Sequence, residues 1–278
     1  MNRSLKQHTL SCPYTIMGIL NVTPDSFSDG GRYNAPSRIL QQCGRMVSEG
    51  AQIIDVGGES SRPGANPVSQ QEEIDRVIPV IRKIREKYPN LLISVDTYKS
   101  RVAEQALQNG ADWINDISAL RFDPEMAGVV SHYGCPVVLM HMQGTPRNMQ
   151  QCPQYHDVVG EVKDFLAERV REAIKHNILP CNIIVDPGIG FGKALQHNLQ
   201  LLQNLSSIVE LGYPVLLGAS RKSFIGSICG EKKPDNRLGG TVATSVWGYL
   251  QGAAVFRVHD VEANRQALEM ICELQPGR

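Results

Sequence analysis

The chain is expected to be α/β, a single (β/α)8 TIM barrel over residues 1–278 with its active site at the C-terminal rim of the strands. Three observations carry that expectation. Eight short apolar runs rich in Val and Ile alternate with stretches of helical periodicity. Most of these runs stop at a hydrogen-bonding or ionisable residue. No shift in composition divides the 278 residues, a length that one barrel routinely takes. An open doubly wound sheet is the competing architecture, since the same alternation can build it.

The runs fall at residues 15–20, 53–57, 91–96, 113–117, 136–141, 183–186, 214–219 and 255–258. They do not alternate cleanly between apolar and polar, as suits parallel strands covered on both faces. After the second run, Ile74, Val77, Ile78, Ile81 and Ile84 form an apolar stripe. Ser69 and Glu72 read as its capping box, and Pro79 is placed to kink it. After the fifth run, Val158, Val162, Phe165, Leu166, Val170 and Ile174 form a second stripe. Both stripes are expected to face the core.

Strands of a parallel barrel all point one way, so their C-terminal ends share one rim. Those ends carry Asn21; Asp55 with Glu59; Asp96; Asn115 with Asp116; His141; Asp186; Ser220, Arg221 and Lys222; and Arg257 with His259. Taken singly, each is a turn residue or a helix cap. A purely structural barrel needs no such ring, and together the residues point to a polar heteroaromatic or phosphorylated ligand. His141 is expected to be structural or to act behind the residues that touch the ligand.

The loops narrow the chemistry. Residues 21–31 open with Asn21, hold Asp25, Phe27 and Asp29, and close on the hinge pair Gly30 and Gly31. Residues 59–65 set Ser60 and Ser61 beside Arg62, with Pro63 and Gly64 following. Residues 186–193 are glycine-rich, but their spacing fits neither the nucleotide P-loop nor the dinucleotide fingerprint. Their glycines would let backbone and Phe191 approach a flat ligand. Residues 221–237 form a long basic loop whose tip reads as mobile and solvated.

Composition removes several classes. Lys plus Arg and Asp plus Glu balance at 28 each, which argues against nucleic-acid or membrane-surface binding. No run approaches the roughly 18 apolar residues of a membrane span. The seven cysteines include no Cys-x-x-Cys pair, so zinc spacing is absent and free thiols in a cytoplasmic setting are expected. Residues 1–13 are polar and lack the apolar core of a signal peptide.

The blocks 21–31, 55–65, 94–97, 115–118, 140–142, 186–193, 218–226 and 257–260 together resemble the dihydropteroate synthases of folate biosynthesis. They run in order through nearly the whole chain, which is far more specific than one motif. The resemblance implies a (β/α)8 homodimer that joins 4-aminobenzoate to (7,8-dihydropterin-6-yl)methyl diphosphate. The products are 7,8-dihydropteroate and diphosphate, by a loose, cation-like displacement. It also implies a transferase that sulfonamides target and that uses Mg²⁺.

The residue types agree with that reaction. A dihydropterin edge needs a carboxylate for its parallel N–H groups, an amide that donates and accepts, and a cation for its carbonyl. Asp186, Asn115 and Lys222 supply these, with Asp96 as a further acceptor, and the resemblance implies the same four for the pterin pocket. Ile117, Met140 and Phe191 would wall the ring, and the Arg257 guanidinium would stack on it. By resemblance Ser61, Arg62, Arg257 and His259 contact the diphosphate, and Asn21 ligates the Mg²⁺. Phe27, Asp29, Arg62 and Pro63 would close over the site, with Ser223 and Lys222 near the benzoate and Gly218 in the substrate pocket. The implied catalytic set is Asp29, Arg62, Lys222, Arg257 and His259. One departure is visible: Ser61 stands where the family usually has Thr, keeping the hydroxyl and losing a methyl. Three other readings stay open: a Schiff-base aldolase using Lys222, a catalytically silent pterin-binding barrel, and a barrel that passes methyl groups from a pterin to a corrinoid.

Overall fold

The structure is a computed structural model that describes residues 13–22 and 35–275. Its strands are β1 (Thr15–Asn21), β2 (Ile53–Gly57), β3 (Leu92–Asp96), β4 (Trp113–Asp116), β5 (Val137–Met140), β6 (Ile183–Asp186), β7 (Leu216–Leu217) and β8 (Val255–Val258). All pair in parallel in the order β6-β5-β4-β3-β2-β1-β8-β7. A parallel bridge between Val185 and Val215 joins the two ends, so the sheet closes on itself. That closure removes the open doubly wound alternative.

Around the strands lie α1 (Ala35–Ser48), α2 (Gln70–Lys87), α3 (Ser100–Gln108), α4 (Met126–Tyr133), α5 (Val158–Lys175), α6 (Leu195–Gln203), α7 (Leu205–Val209), α8 (Ser223–Cys229), α9 (Leu238–Leu250) and α10 (Val261–Leu274). None of the described helices is long and apolar enough to cross a membrane.

The period-two geometry of strands sorts every side chain. Each strand gives one residue to a closed interior layer: Met17, Ile53, Leu92, Trp113, Val138, Ile184, Leu216 and Val255. Their neighbours, among them Ile16, Ile54, Ile93, Ile114 and Val137, pack outward against the helices in a separate cluster. One step of two above the interior layer stand Asp55, Ser94, Asn115, Met140, Asp186, Gly218 and Arg257. Another such step reaches Gly57, Asp96, Ile117 and His259. The barrel is therefore apolar below and polar at its mouth.

Several expectations need correction. The seventh run, 214–219, yields only the two-residue β7: Pro214 has no N–H for a ladder, and its carbonyl instead accepts from Val185 N at 3.0 Å. In α2 the Ser69 side chain caps the Glu72 amide at 3.1 Å, but the Glu72 carboxylate turns to Arg76, so the capping box is only half made. Pro79 lies within α2 on its exposed side, where water can take the hydrogen bond the ring cannot. In α5 the apolar face ends with Ala173, and Ile174 is 40% exposed. The stretch 221–237 is no plain loop: it contains α8, whose Phe224 and Ile225 are buried, and Arg237 bonds the Arg221 carbonyl at 2.9 Å.

Candidate active site

The floor of the mouth is an ion cluster. Arg257 donates from Nε to Asp55 Oδ2 at 2.6 Å and from Nη2 to Asp96 Oδ2 at 2.7 Å. Asn115 Nδ2 donates to the same Asp55 oxygen at 3.0 Å, which leaves the Asn115 amide oxygen for a ligand's N–H. Strand register sets this up, because Gly57, Asp96 and Asn115 are consecutive partners across β2, β3 and β4. Burial pushes Asp96 above the ordinary carboxylate range; Arg257 opposes this, and the Asp55 carboxylate adds to it. Arg257 was expected to stack on a ring and meet a phosphate, and its two ion pairs make neutralising these carboxylates its first task. Asp55 Oδ1 and Ser94 Oγ are buried with no hydrogen-bond partner among the described residues.

Across the mouth, Asp186 ends β6 and is 5% exposed. Its Oδ1 accepts from Gly188 N at 2.7 Å, while a Cβ built on Gly218 would sit 3.8 Å from Oδ2. Glycine at 218 thus keeps the approach to that oxygen open. Burial raises the Asp186 pKa to about 6 against the pull of the Gly188 amide and of Lys222, Lys193 and Arg257. Lys222 Nζ lies 3.9 Å from the centre of the Phe191 ring, a cation–π contact. Its pKa falls to about 8, chiefly through burial and then the Arg257 charge, with Asp186 and Asp96 holding it up. Ile117, Met140 and Phe191, expected to wall a ring, join Met142 and Met149 in one apolar cluster beside these groups.

The seventh and eighth loops interlock. His259 lies one residue beyond β8, with its Nδ1 3.0 Å from Ser220 Oγ. Burial, then Arg221 and Arg257, lower its pKa to about 3, so at neutral pH it is an uncharged ring with one N–H to give. Arg221 clamps Asp260 with two bonds, of 2.9 and 2.6 Å, and reaches Asp235 as well. Ser223 starts α8 and is exposed.

On the opposite side, Ser61 is half-buried, and Arg62 and Pro63 are exposed on the 59–68 loop. Asn21 ends β1 opposite Gly57. A Cβ on Gly57 would come within 3.7 Å of Asn21 Oδ1 and 3.6 Å of Asp96 Oδ2, so both oxygens overhang the same gap. Phe27 and Asp29 lie outside the described residues.

Three rim candidates turn away from the mouth. Asp116 is buried and spends its oxygens on the Ser118 and Leu120 amides, each at 2.7 Å. Glu59 binds Tyr98 and Lys99 behind its loop. His141 is buried next to Lys193, 2.8 Å from Nδ1 to Nζ, and burial drives its pKa down to about 2. Two residues had been given no role. Asp55 was placed on the rim by position, and its bonds to Arg257 and Asn115 now give it a part. Lys193 carries no such signal, since lysine in a glycine loop reads as exposed. It is 3% exposed, bonded to the Gly188 and Phe191 carbonyls at 3.0 Å each, and so fastens the loop that carries Phe191.

Known proteins with this architecture carry related sequences. A family profile described as pterin binding enzyme matches residues 17–259. A dihydropteroate synthase of Synechocystis is 47% identical over 251 residues, 90% of this chain and 86% of the relative. Among solved structures, Xanthomonas albilineans dihydropteroate synthase with 4-aminobenzoic acid aligns with a TM-score of 0.90 at 44% identity, covering 95% of this chain and 94% of that one. The same enzyme in complex with 7,8-dihydropteroate gives 0.86 at 41%, covering 95% of each chain. Matched over most of its length in sequence and in fold, the chain belongs to the dihydropteroate synthase family of pterin-binding enzymes.

Proposed function

We propose that this chain condenses 4-aminobenzoate with (7,8-dihydropterin-6-yl)methyl diphosphate, giving 7,8-dihydropteroate and diphosphate. The observation that carries the reading is one cluster: Asp96, Asn115, Asp186 and Lys222 at a single barrel mouth, against the Phe191 and Met140 wall. The Xanthomonas structures with 4-aminobenzoic acid and with 7,8-dihydropteroate support both ends of the reaction.

In this reading Asp186 Oδ2 accepts from the ring's amino group and a ring N–H, the Asn115 oxygen takes another N–H, and Lys222 donates to the ring carbonyl. Such charge-assisted bonds in a site walled by apolar side chains orient the ring strongly. The methylene–oxygen bond to diphosphate then lengthens, and the electron pair leaves with the diphosphate. The electron-rich ring and the carboxylates of Asp96 and Asp186 stabilise the positive charge left behind. The aniline nitrogen attacks the methylene from the other side, forms the new C–N bond and loses one proton, which Asp29 passes to solvent. His259, held neutral, donates to the leaving oxygens with Ser61, and Arg62 supplies positive charge. Closure of the 59–68 loop with Phe27, Asp29 and Pro63 keeps water from trapping the cation, and Ser223 with Lys222 receives the benzoate.

The residues fit Mg²⁺ in one specific sense. The described residues contain no cluster of three or more His, Cys, Asp or Glu side chains suited to a metal. The gap over Gly57 does bring one neutral oxygen, from Asn21, near the Asp96 carboxylate. Mg²⁺ takes few protein ligands when a diphosphate and waters complete its octahedron. Asn21 would hold it, and when bound it would neutralise charge on the departing diphosphate. A homodimer is also part of the proposal, supported by exposed Ile228, Leu238 and Trp247 on the neighbouring α8 and α9. A cytoplasmic setting rests on the free cysteines.

The test is diphosphate release. It should require 4-aminobenzoate, the dihydropterin diphosphate and Mg²⁺ together, with dihydropteroate formed in equal amount. Pterin binding with no release under those conditions would favour a silent binding barrel. Borohydride trapping of a carbonyl substrate on Lys222 would favour the aldolase.

A further inference from the structure

We propose that Lys99 is a positioning residue that ties both ends of the 59–68 loop to the barrel, and so sets where Ser61, Arg62 and Pro63 meet the reacting atoms. The inference rests on the function proposed above for that loop. Its physical basis is a single carboxylate that accepts three hydrogen bonds. Glu59, at the loop's start, accepts from Tyr98 OH at 2.7 Å on Oε1 and from Lys99 Nζ at 2.5 Å on Oε2. The same Oε2 accepts from the Val68 amide at the loop's end, at 3.3 Å. A ten-residue excursion is thus closed by one side chain. Lys99 fixes that side chain in turn, because its ammonium also holds Glu73 Oε2 at 2.5 Å.

Glu73 is what makes the anchor firm. It sits on α2 and is 1% exposed, so its charge has no recourse to bulk water. Its Oε1 has no partner among the described residues, and Glu73 lines a cavity of about 10 Å³, room for one water, with Ser61 and Asp96. Leaving a buried carboxylate without its cation is strongly unfavourable, so Lys99 cannot swing away to follow a moving loop. Burial does not hold the catalytic part of the loop, as Arg62 and Pro63 are exposed. Hydrogen bonds must do so: the Glu59 clamp at the base and the Gly64 amide on the Pro146 carbonyl at 3.1 Å. A displacement of about 1 Å in a positioning group can cost about a hundredfold in rate.

The experiment compares the full chain with Lys99→Met, Lys99→Arg and Tyr98→Phe. Deuterium uptake over residues 59–68 is read beside the kcat, the KM for 4-aminobenzoate and the dissociation constant for the dihydropterin diphosphate. In Lys99→Met the uptake over 59–68 should rise to that of an unprotected segment, and kcat should fall about tenfold to a hundredfold. Pterin affinity should stay within about threefold, a split that general loss of structure would not produce. Lys99→Arg should restore both protection and most of kcat. Tyr98→Phe removes one neutral hydroxyl from the same carboxylate, keeps the fold should the methionine variant fail, and should raise uptake over 59–68 as well. Unchanged uptake in Lys99→Met or in Tyr98→Phe would overturn the proposal, as would pterin affinity lost in proportion to kcat. Uptake decides the matter even for a chain that makes no dihydropteroate, a result that would sink the functional reading alone.

Discussion

Arg257 and Asp55 stand 202 residues apart in the chain and 2.6 Å apart at the barrel mouth, where Arg257 also holds Asp96. One guanidinium therefore faces two carboxylates, and nothing buried there tolerates its loss. Arg257→Met should lower unfolding free energy by about 3 kcal/mol, the low end for breaking a buried pair, as Arg257 keeps partial exposure. Urea midpoints would measure it. Adding Asp55→Asn to the methionine variant should recover part of the loss, and no recovery would mean that packing rather than charge is lost.

In the proposed reading, ring recognition turns on Asp186 as acceptor. Asp186→Ala should weaken dihydropterin binding by at least about a hundredfold, as two charge-assisted hydrogen bonds disappear. Equilibrium titration gives the answer, and unchanged affinity would contradict the pocket assignment.

Turnover should separate from binding at Arg62. Arg62 is exposed on the 59–68 loop, which the proposed reading has close over the site. Arg62→Ala should depress kcat about tenfold or more while pterin affinity holds within about threefold. Equal losses in both would count against a role in closure.

The pH profile follows from charges that must be present together. In the proposed reading Asp186 needs to be ionised, and burial lifts it to about 6. Lys222 needs its proton, and burial brings it down to about 8. The kcat/KM for the dihydropterin diphosphate should therefore fall below about pH 6 and again above about pH 8. Lys222→Arg should abolish the alkaline limb. A profile flat from pH 5 to 10 would remove these groups from recognition.

Stability should carry the mark of Lys193. Burial lowers its pKa to about 7 from 10.5, so between those values the unfolded chain binds more protons than the folded one. The sign is fixed: its contribution is fully present above 10.5 and lost as pH falls toward 7. Denaturation at pH 7 and pH 10 should show the wild type gaining on Lys193→Met at the higher pH. A gap that does not change with pH would mean the lysine is charged in the fold at both.

Much of this was legible from local chemistry. The apolar runs found β2, β6 and β8 to the residue, because hydrophobic continuity and a polar stop are both written in the chain. The same stops named Asp96, Asn115 and Asp186, since a parallel barrel turns one local feature into one shared rim. What stayed hidden depends on partners distant in sequence. Glu59 looked like a rim acid until Lys99 and Tyr98 drew it behind its loop. Lys193 had no reading of its own in the sequence, and its burial comes from contacts with Gly188, Phe191 and His141. β7 shrank to two residues because a ladder needs donors that Pro214 lacks.

The most direct measurement is a crystal structure of the chain with dihydropterin diphosphate bound. The ring should lie at the mouth against Phe191 and Met140, with Asp186 Oδ2 on its amino edge, Asn115 and Lys222 on the neighbouring positions, and the diphosphate toward His259 and Ser61. A ring seated anywhere else, with Asp186 and Lys222 untouched, would contradict the account.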